Sequence, residues 1–81
     1  MKLTVKLFAA ARELAGRDEI PLELSEGATV SELRAELCST SPALTALARR
    51  SLIAVNEEYA ADATPLTAGY TAGLIPPVSG V

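Results

Sequence analysis

The chain has 81 residues, 49% of them apolar but only 4% aromatic, with no histidine and a single cysteine, and its ten acidic and seven basic side chains give a net charge of −3. That length supports one core and no cleft between two lobes, and so few aromatic rings leave almost no stacking platform for single-stranded nucleic acid. With no Lys or Arg after Arg50, the charge balance disfavours a polyanion and favours a partner with basic residues around its docking cleft.

No apolar run reaches 18 residues and the chain opens directly on strand-like alternation, so neither a membrane span nor a signal peptide is expected. A cytoplasmic location follows. Cys38 has no partner for an internal disulfide, which fits a reducing compartment.

Residues 2–8 alternate, with Leu3, Val5 and Leu7 on one side and Lys2, Thr4 and Lys6 on the other, the signature of a half-buried strand. Residues 9–15 are strong helix formers, and Gly16 stands where a short helix would close in a left-handed residue. Residues 19–24 alternate again: Ile20, Leu22 and Leu24 point inward and Pro21 outward, which suits an edge strand paired with the first.

Residues 25–28 form a turn, and Thr29-Val30-Ser31-Glu32 is a capping box that opens the main helix. Its apolar stripe is Val30, Leu33 and Leu37, and its end is expected near Ser39. Ser41-Pro42 reads as N-cap and first residue of a short second helix carrying Leu44 and Leu47. Residues 52–55, Leu-Ile-Ala-Val, are apolar on both faces, as a central strand would be. The chain turns over Asn56-Glu57-Glu58, returns at Tyr59-Ala60, loops through 62–69 with Leu66 tucked beneath the body, and ends its last strand at Ile75. The order predicts an α+β fold, a mixed sheet with helices packed on one face.

Past Ile75 come Pro76, Pro77, Val78, Ser79, Gly80 and Val81. The two prolines fix φ and remove two backbone donors, so the chain can neither extend the sheet nor curl into a helix. The expected division is therefore a body, residues 1–75, and an extended tail, residues 76–81. Six extended residues span at most about 20 Å, enough to carry a terminal carboxylate into a cleft on another protein.

Three stretches carry a family likeness: Leu7-Phe8-Ala9-Ala10-Ala11-Arg12-Glu13-Leu14-Ala15-Gly16, Ala54-Val55-Asn56-Glu57-Glu58-Tyr59, and Leu74-Ile75-Pro76-Pro77-Val78-Ser79-Gly80. With them the chain resembles the ubiquitin-like β-grasp sulfur carriers, most closely the small subunits of molybdopterin synthase. The resemblance implies a β-grasp fold and a tail whose terminal carboxylate is adenylated with ATP by an E1-like partner and converted to a thiocarboxylate. It further implies a heterotetramer with the large synthase subunit, in whose active site the sulfur passes to a pyranopterin phosphate precursor. Gly80 and Val81 would then carry the sulfur and Pro76, Pro77, Val78 and Ser79 would line the partner's channel, with ATP used by the activating enzyme and no cofactor, metal or catalytic residue on the chain itself. Neither nucleic acid nor membrane is an expected partner.

Such relatives end in Gly-Gly, whereas this chain ends in Gly80-Val81. A β-branched residue beside the reacting carbonyl is stiff and bulky. Three readings stay open: an engineered or variant end, an end trimmed to Gly80, or a degenerate paralogue that docks without sulfur transfer. A ubiquitin-like binding module anchored by its tail is the corresponding alternative function. The last strand also departs, since Ala72 and Gly73 stand where larger residues are usual, which predicts weaker packing beside the tail.

Phe8, Tyr59 and Tyr70 are the only aromatic residues and are candidates for a docking surface on the uncovered sheet face. Glu57, Glu58 and Asp62 read as solvated turn carboxylates rather than a metal cluster. Nothing in the sequence activates Cys38. Arg49-Arg50, at a helix end, are read as complementing its dipole, with an anion grip as the sharper alternative.

Overall fold

The structure, a computed structural model, describes residues 1–77. Its elements in order are β1 (Lys2–Leu7), α1 (Ala10–Ala15), β2 (Glu19–Glu23), α2 (Val30–Thr40), a 3₁₀ turn (Pro42–Leu44), α3 (Thr45–Arg50), β3 (Leu52–Val55), β4 (Glu58–Tyr59) and β5 (Thr71–Ile75). The strands form one mixed sheet in the order β2-β1-β5-β3-β4, with β1 and β5 parallel and the other pairs antiparallel.

The period-two alternation of β1 survives intact. Leu3, Val5 and Leu7 are buried, and their neighbours Lys2 and Lys6 are exposed. β2 takes the expected edge position, with Pro21 exposed opposite Thr4. It ends one residue early, yet Leu24 stays buried, donating its backbone N–H to the Met1 carbonyl at 2.8 Å.

The capping box forms as its sequence dictates: the Thr29 hydroxyl accepts from the Glu32 backbone N–H, and Glu32 Oε1 accepts from that of Thr29. Val30, Leu33 and Leu37 are completely buried against the sheet. Leu66 tucks under the body as expected, its N–H donating to the Ala28 carbonyl, beside a bridge between Thr29 and Pro65. Helices and loop thus cover one face of the sheet around a single aliphatic core.

Two expectations are corrected. Ser41 precedes a 3₁₀ turn rather than an α-helix, and it caps nothing with its side chain; its carbonyl accepts from Leu44 instead. And the central strand is β5, not β3. The apolar 52–55 run reads as buried on both faces, but Leu52 is 55% exposed. β3 is flanked by β5 on one side and by a two-residue β4 on the other.

Turns carry the conformational irregularity. Ala9 has φ 49° and ψ −124°, and the Ala11 N–H donates to the Phe8 carbonyl across it, so an alanine holds the turn position that glycine usually takes. Asn56 and Glu57 both lie at positive φ, 50° and 70°, in a two-residue hairpin turn joining β3 to β4.

Candidate functional site: the tail exit and the open sheet face

β5 is held on both sides up to its last residues. Leu74 pairs with Leu7 of β1, Ile75 pairs with Leu52 of β3, and then Pro76 and Pro77 follow with no N–H to continue either ladder. The tail therefore leaves from the middle of the sheet rather than from an edge. Val78, Ser79, Gly80 and Val81, expected to form the channel segment and the sulfur-carrying end, lie outside the described residues.

Register fixes what faces away from the helices. Thr4 and Thr71, Lys6 and Gly73, Gly73 and Ala54, Ala54 and Tyr59, and Leu52 and Ile75 are paired neighbours. Residues on either side of them in sequence, such as Val5, Ile53 and Leu74, are buried in the core. On the open face β1 and β2 carry Lys2, Lys6, Glu19 and Glu23, while the β5-β3-β4 side is apolar, with Phe8, Leu52 and Tyr59 at 47%, 55% and 70% exposure. Part of it is a shallow depression of about 660 Å³ lined by Phe8, Ala54, Tyr59, Gly73 and Ile75.

Gly73 has a specific place in this strip. A Cβ there would stand 3.2 Å from Cε2 of Phe8, so the ring lies over the bare backbone of the central strand. The missing side chain, expected only to weaken β5, provides the seat of an aromatic ring next to the tail exit.

Of the three aromatic candidates, Phe8 and Tyr59 share this face. Tyr70 does not: it precedes Thr71, which faces outward, and it packs half-buried against the core on the helix side. Leu52 and Ile75 are open-face residues that sequence reasoning overlooked. The available signal was the alternation of β3, hidden because all four of its residues are apolar.

The charged candidates separate. Asp62 pairs with Arg34 at 3.1 Å and its carbonyl accepts from Ser31 N–H, while Glu57 sits in the hairpin turn and Glu58 in β4. Among the described residues no three Asp, Glu, Cys or His side chains converge on a point that could hold a metal ion. Cys38 is free and half-buried on the flank of the core.

Arg34 carries no local sequence signal for its role. Its guanidinium donates to the carbonyls of Ala48 and Ser51 as well as to Asp62, tying α2 to the end of α3 and to the loop after β4. The Ser51 hydroxyl donates to the Leu47 carbonyl at 2.7 Å. Arg49 and Arg50, in the last turn of α3, are both exposed. Among the described residues no helix is long and apolar enough to cross a membrane.

Comparison with known proteins agrees with this geometry. Residues 5–80 match the model of the ThiS family. The chain is 37% identical over 82 residues to the molybdopterin synthase sulfur carrier subunit of Chlamydomonas reinhardtii, covering 99% of both chains. It is 34% identical over 80 residues to the subunit of the same name from Arabidopsis thaliana, covering 99% of this chain and 83% of that one. In three dimensions it is similar to SAMP1 from Haloferax volcanii, with a TM-score of 0.88, 30% identity and full coverage of both chains. The fold is the ubiquitin-like β-grasp, and the chain belongs to the ThiS family.

Proposed function

We propose that this chain is the sulfur-carrier subunit of a molybdopterin synthase, acting in molybdenum cofactor biosynthesis. The observation that carries this reading is the full-length similarity to subunits of that name, in a chain whose central strand ends in a double proline. Residues 1–75 serve as the body and residues 76–81 as the working end. A cytoplasmic E1-like partner uses ATP to adenylate the terminal carboxylate, and the acyl-adenylate is converted to a thiocarboxylate. The large synthase subunit then receives the tail, with Phe8, Leu52 and Tyr59 against its surface.

The physical logic of the division is simple. A carboxylate is a poor electrophile until activated, and glycine at the end of a tail leaves the carbonyl open to approach. Holding that tail in a channel supplies the high effective concentration of an intramolecular reaction. The body contributes a rigid base and a docking face, and the partners contribute the chemistry.

The test is intact mass after incubation with ATP, a ThiS-family activating enzyme and a sulfur donor. The expected product gains the mass of an oxygen-to-sulfur exchange, localised to the C-terminal peptide. A chain that forms a stable complex with the large subunit but is never modified would instead be a tail-anchored binding module.

A further inference from the structure

We infer that Arg49 and Arg50 form a basic grip at the root of the tail that engages an acidic rim around the mouth of the large subunit's channel. This rests on the carrier reading above and adds to it a surface and the chemistry of its counterpart.

The first observation is where the charge lies. β1 ends, and β2 and β3 begin, at the end of the sheet from which β5 releases Pro76. Lys6, Arg12, Arg17, Arg49 and Arg50 all lie at that end, with only Glu13, Asp18 and Glu19 to offset them. Arg34 also reaches that end but is neutralised there by Asp62, which leaves Lys2 against the six remaining side-chain carboxylates. The net charge of −3 thus conceals a polarised molecule whose tail end is positive. Net charge alone points to a basic partner; what a docking surface meets is the local field, which here has the opposite sign.

The second observation removes the ordinary explanation for the pair. Arginines in a last helical turn usually answer free carbonyls and the negative end of the dipole. At the end of α3 three carbonyls already have donors from elsewhere, Leu47 from the Ser51 hydroxyl and Ala48 and Ser51 from Arg34, and neither Arg49 nor Arg50 donates to any of them. Among the described residues Arg49 and Arg50 enter no ion pair, whereas Arg12 approaches Asp18 and Arg34 holds Asp62. Among the described residues the two exposed guanidinium groups therefore have no partner.

The third is their setting. Arg50 lies two residues before Leu52, which is 55% exposed and paired with Ile75 at the tail root. An apolar anchor bordered by arginine is the usual composition of a protein–protein interface, where rim charges steer approach. The six-residue tail reaches at most about 20 Å beyond its root, so a basic channel end for the carboxylate and an acidic mouth for the arginines are compatible on one partner.

The experiment is stopped-flow association of the full chain with the large synthase subunit at low and high salt, comparing wild type, the charge-neutral pair Arg49→Gln with Arg50→Gln, and the reversed pair Arg49→Glu with Arg50→Glu. The expected result is an association rate about tenfold lower at low salt for the reversed pair, with a flattened or inverted salt dependence, the neutral pair in between, and dissociation little changed. Rates and salt slopes in both variants indistinguishable from wild type would overturn the inference while leaving the carrier reading in place. Unchanged association but a raised KM for the large subunit's phosphorylated substrate would also overturn it, reassigning the arginines to that phosphate. Absence of any complex with the wild-type chain would overturn the carrier reading, and the grip with it.

Discussion

Glu57 is a residue in the wrong conformation for its type. At φ 70° it occupies the left-handed region, where an ordinary L-residue costs about 1–2 kcal/mol. Its neighbour Asn56, at φ 50°, tolerates that region through its short amide side chain, whose Oδ1 accepts from the Thr71 N–H at 3.1 Å. Asn-Gly is the favoured pair for a two-residue hairpin turn, so Glu57→Gly relieves strain at the expense of about 0.5–1 kcal/mol of unfolded-chain entropy. The expected net gain is about 0.5 kcal/mol, a rise of roughly 3 °C in Tm by scanning calorimetry. A fall would mean that the Glu57 carboxylate makes a contact stronger than the strain. Val81 poses a different problem at the same scale. Its branched Cβ stands beside the carbonyl to be activated, and a chain ending at Gly80 should be adenylated faster by about tenfold, or ~1.4 kcal/mol of barrier. Pyrophosphate release with the activating enzyme measures this, and equal rates for the two ends would show that Val81 is accepted as it stands.

Among the elements, the joint between α2 and α3 depends on one side chain. Arg34 is only 20% exposed, and its guanidinium donates to the Ser51 carbonyl and to the Ala48 carbonyl, which also accepts from the Ser51 N–H. Truncating a charged donor to half-buried acceptors costs about 2 kcal/mol; the bond to the exposed Asp62 adds little because water screens it. Arg34→Ala should therefore lower the urea midpoint by about that amount in free energy. Arg34→Lys should recover little of it, since a compact ammonium cannot span three acceptors as a planar fork does. Equal stability of all three proteins would show that the last turn of α3 is capped adequately by Ser51 alone. What sequence reasoning could and could not reach is visible at this joint. The alternation of β1, the capping box at Thr29 and Glu32, and the edge proline of β2 are local patterns, and each appears as read. Arg34 is fourteen residues from one acceptor and twenty-eight from Asp62, a relation no local window contains. The place of β5 between β1 and β3 is equally non-local, and it decided which residues share a face with the tail root. Tyr70 falls on the helix side by alternation with the buried Ala72 and Leu74, just before β5 begins at Thr71, and which side of β5 is covered depends on that same non-local pairing.

For the whole molecule, the two faces of the sheet divide the labour. One face is sealed by helices around an aliphatic core that needs no aromatic ring; the other leaves Phe8, Leu52 and Tyr59 uncovered beside the tail exit. A small protein that bears such a strip either aggregates or docks, and tyrosine is among the residues on which docking energy concentrates. Tyr59, 70% exposed in the two-residue β4, supports the fold very little, so Tyr59→Thr, which keeps strand propensity, should alter unfolding free energy by no more than about 0.5 kcal/mol. Its affinity for the large synthase subunit should fall by roughly 2 kcal/mol, about 30-fold. The loss should appear as faster dissociation, because removing a packed anchor leaves the long-range field intact; the arginine pair at the tail root should instead change the association rate. Tyr70→Phe, on the core side of the sheet, should leave both rates at their wild-type values. Calorimetric titration with stopped-flow dissociation distinguishes these outcomes, and a Tyr59→Thr chain that binds like wild type would place the docking surface elsewhere than on the open face.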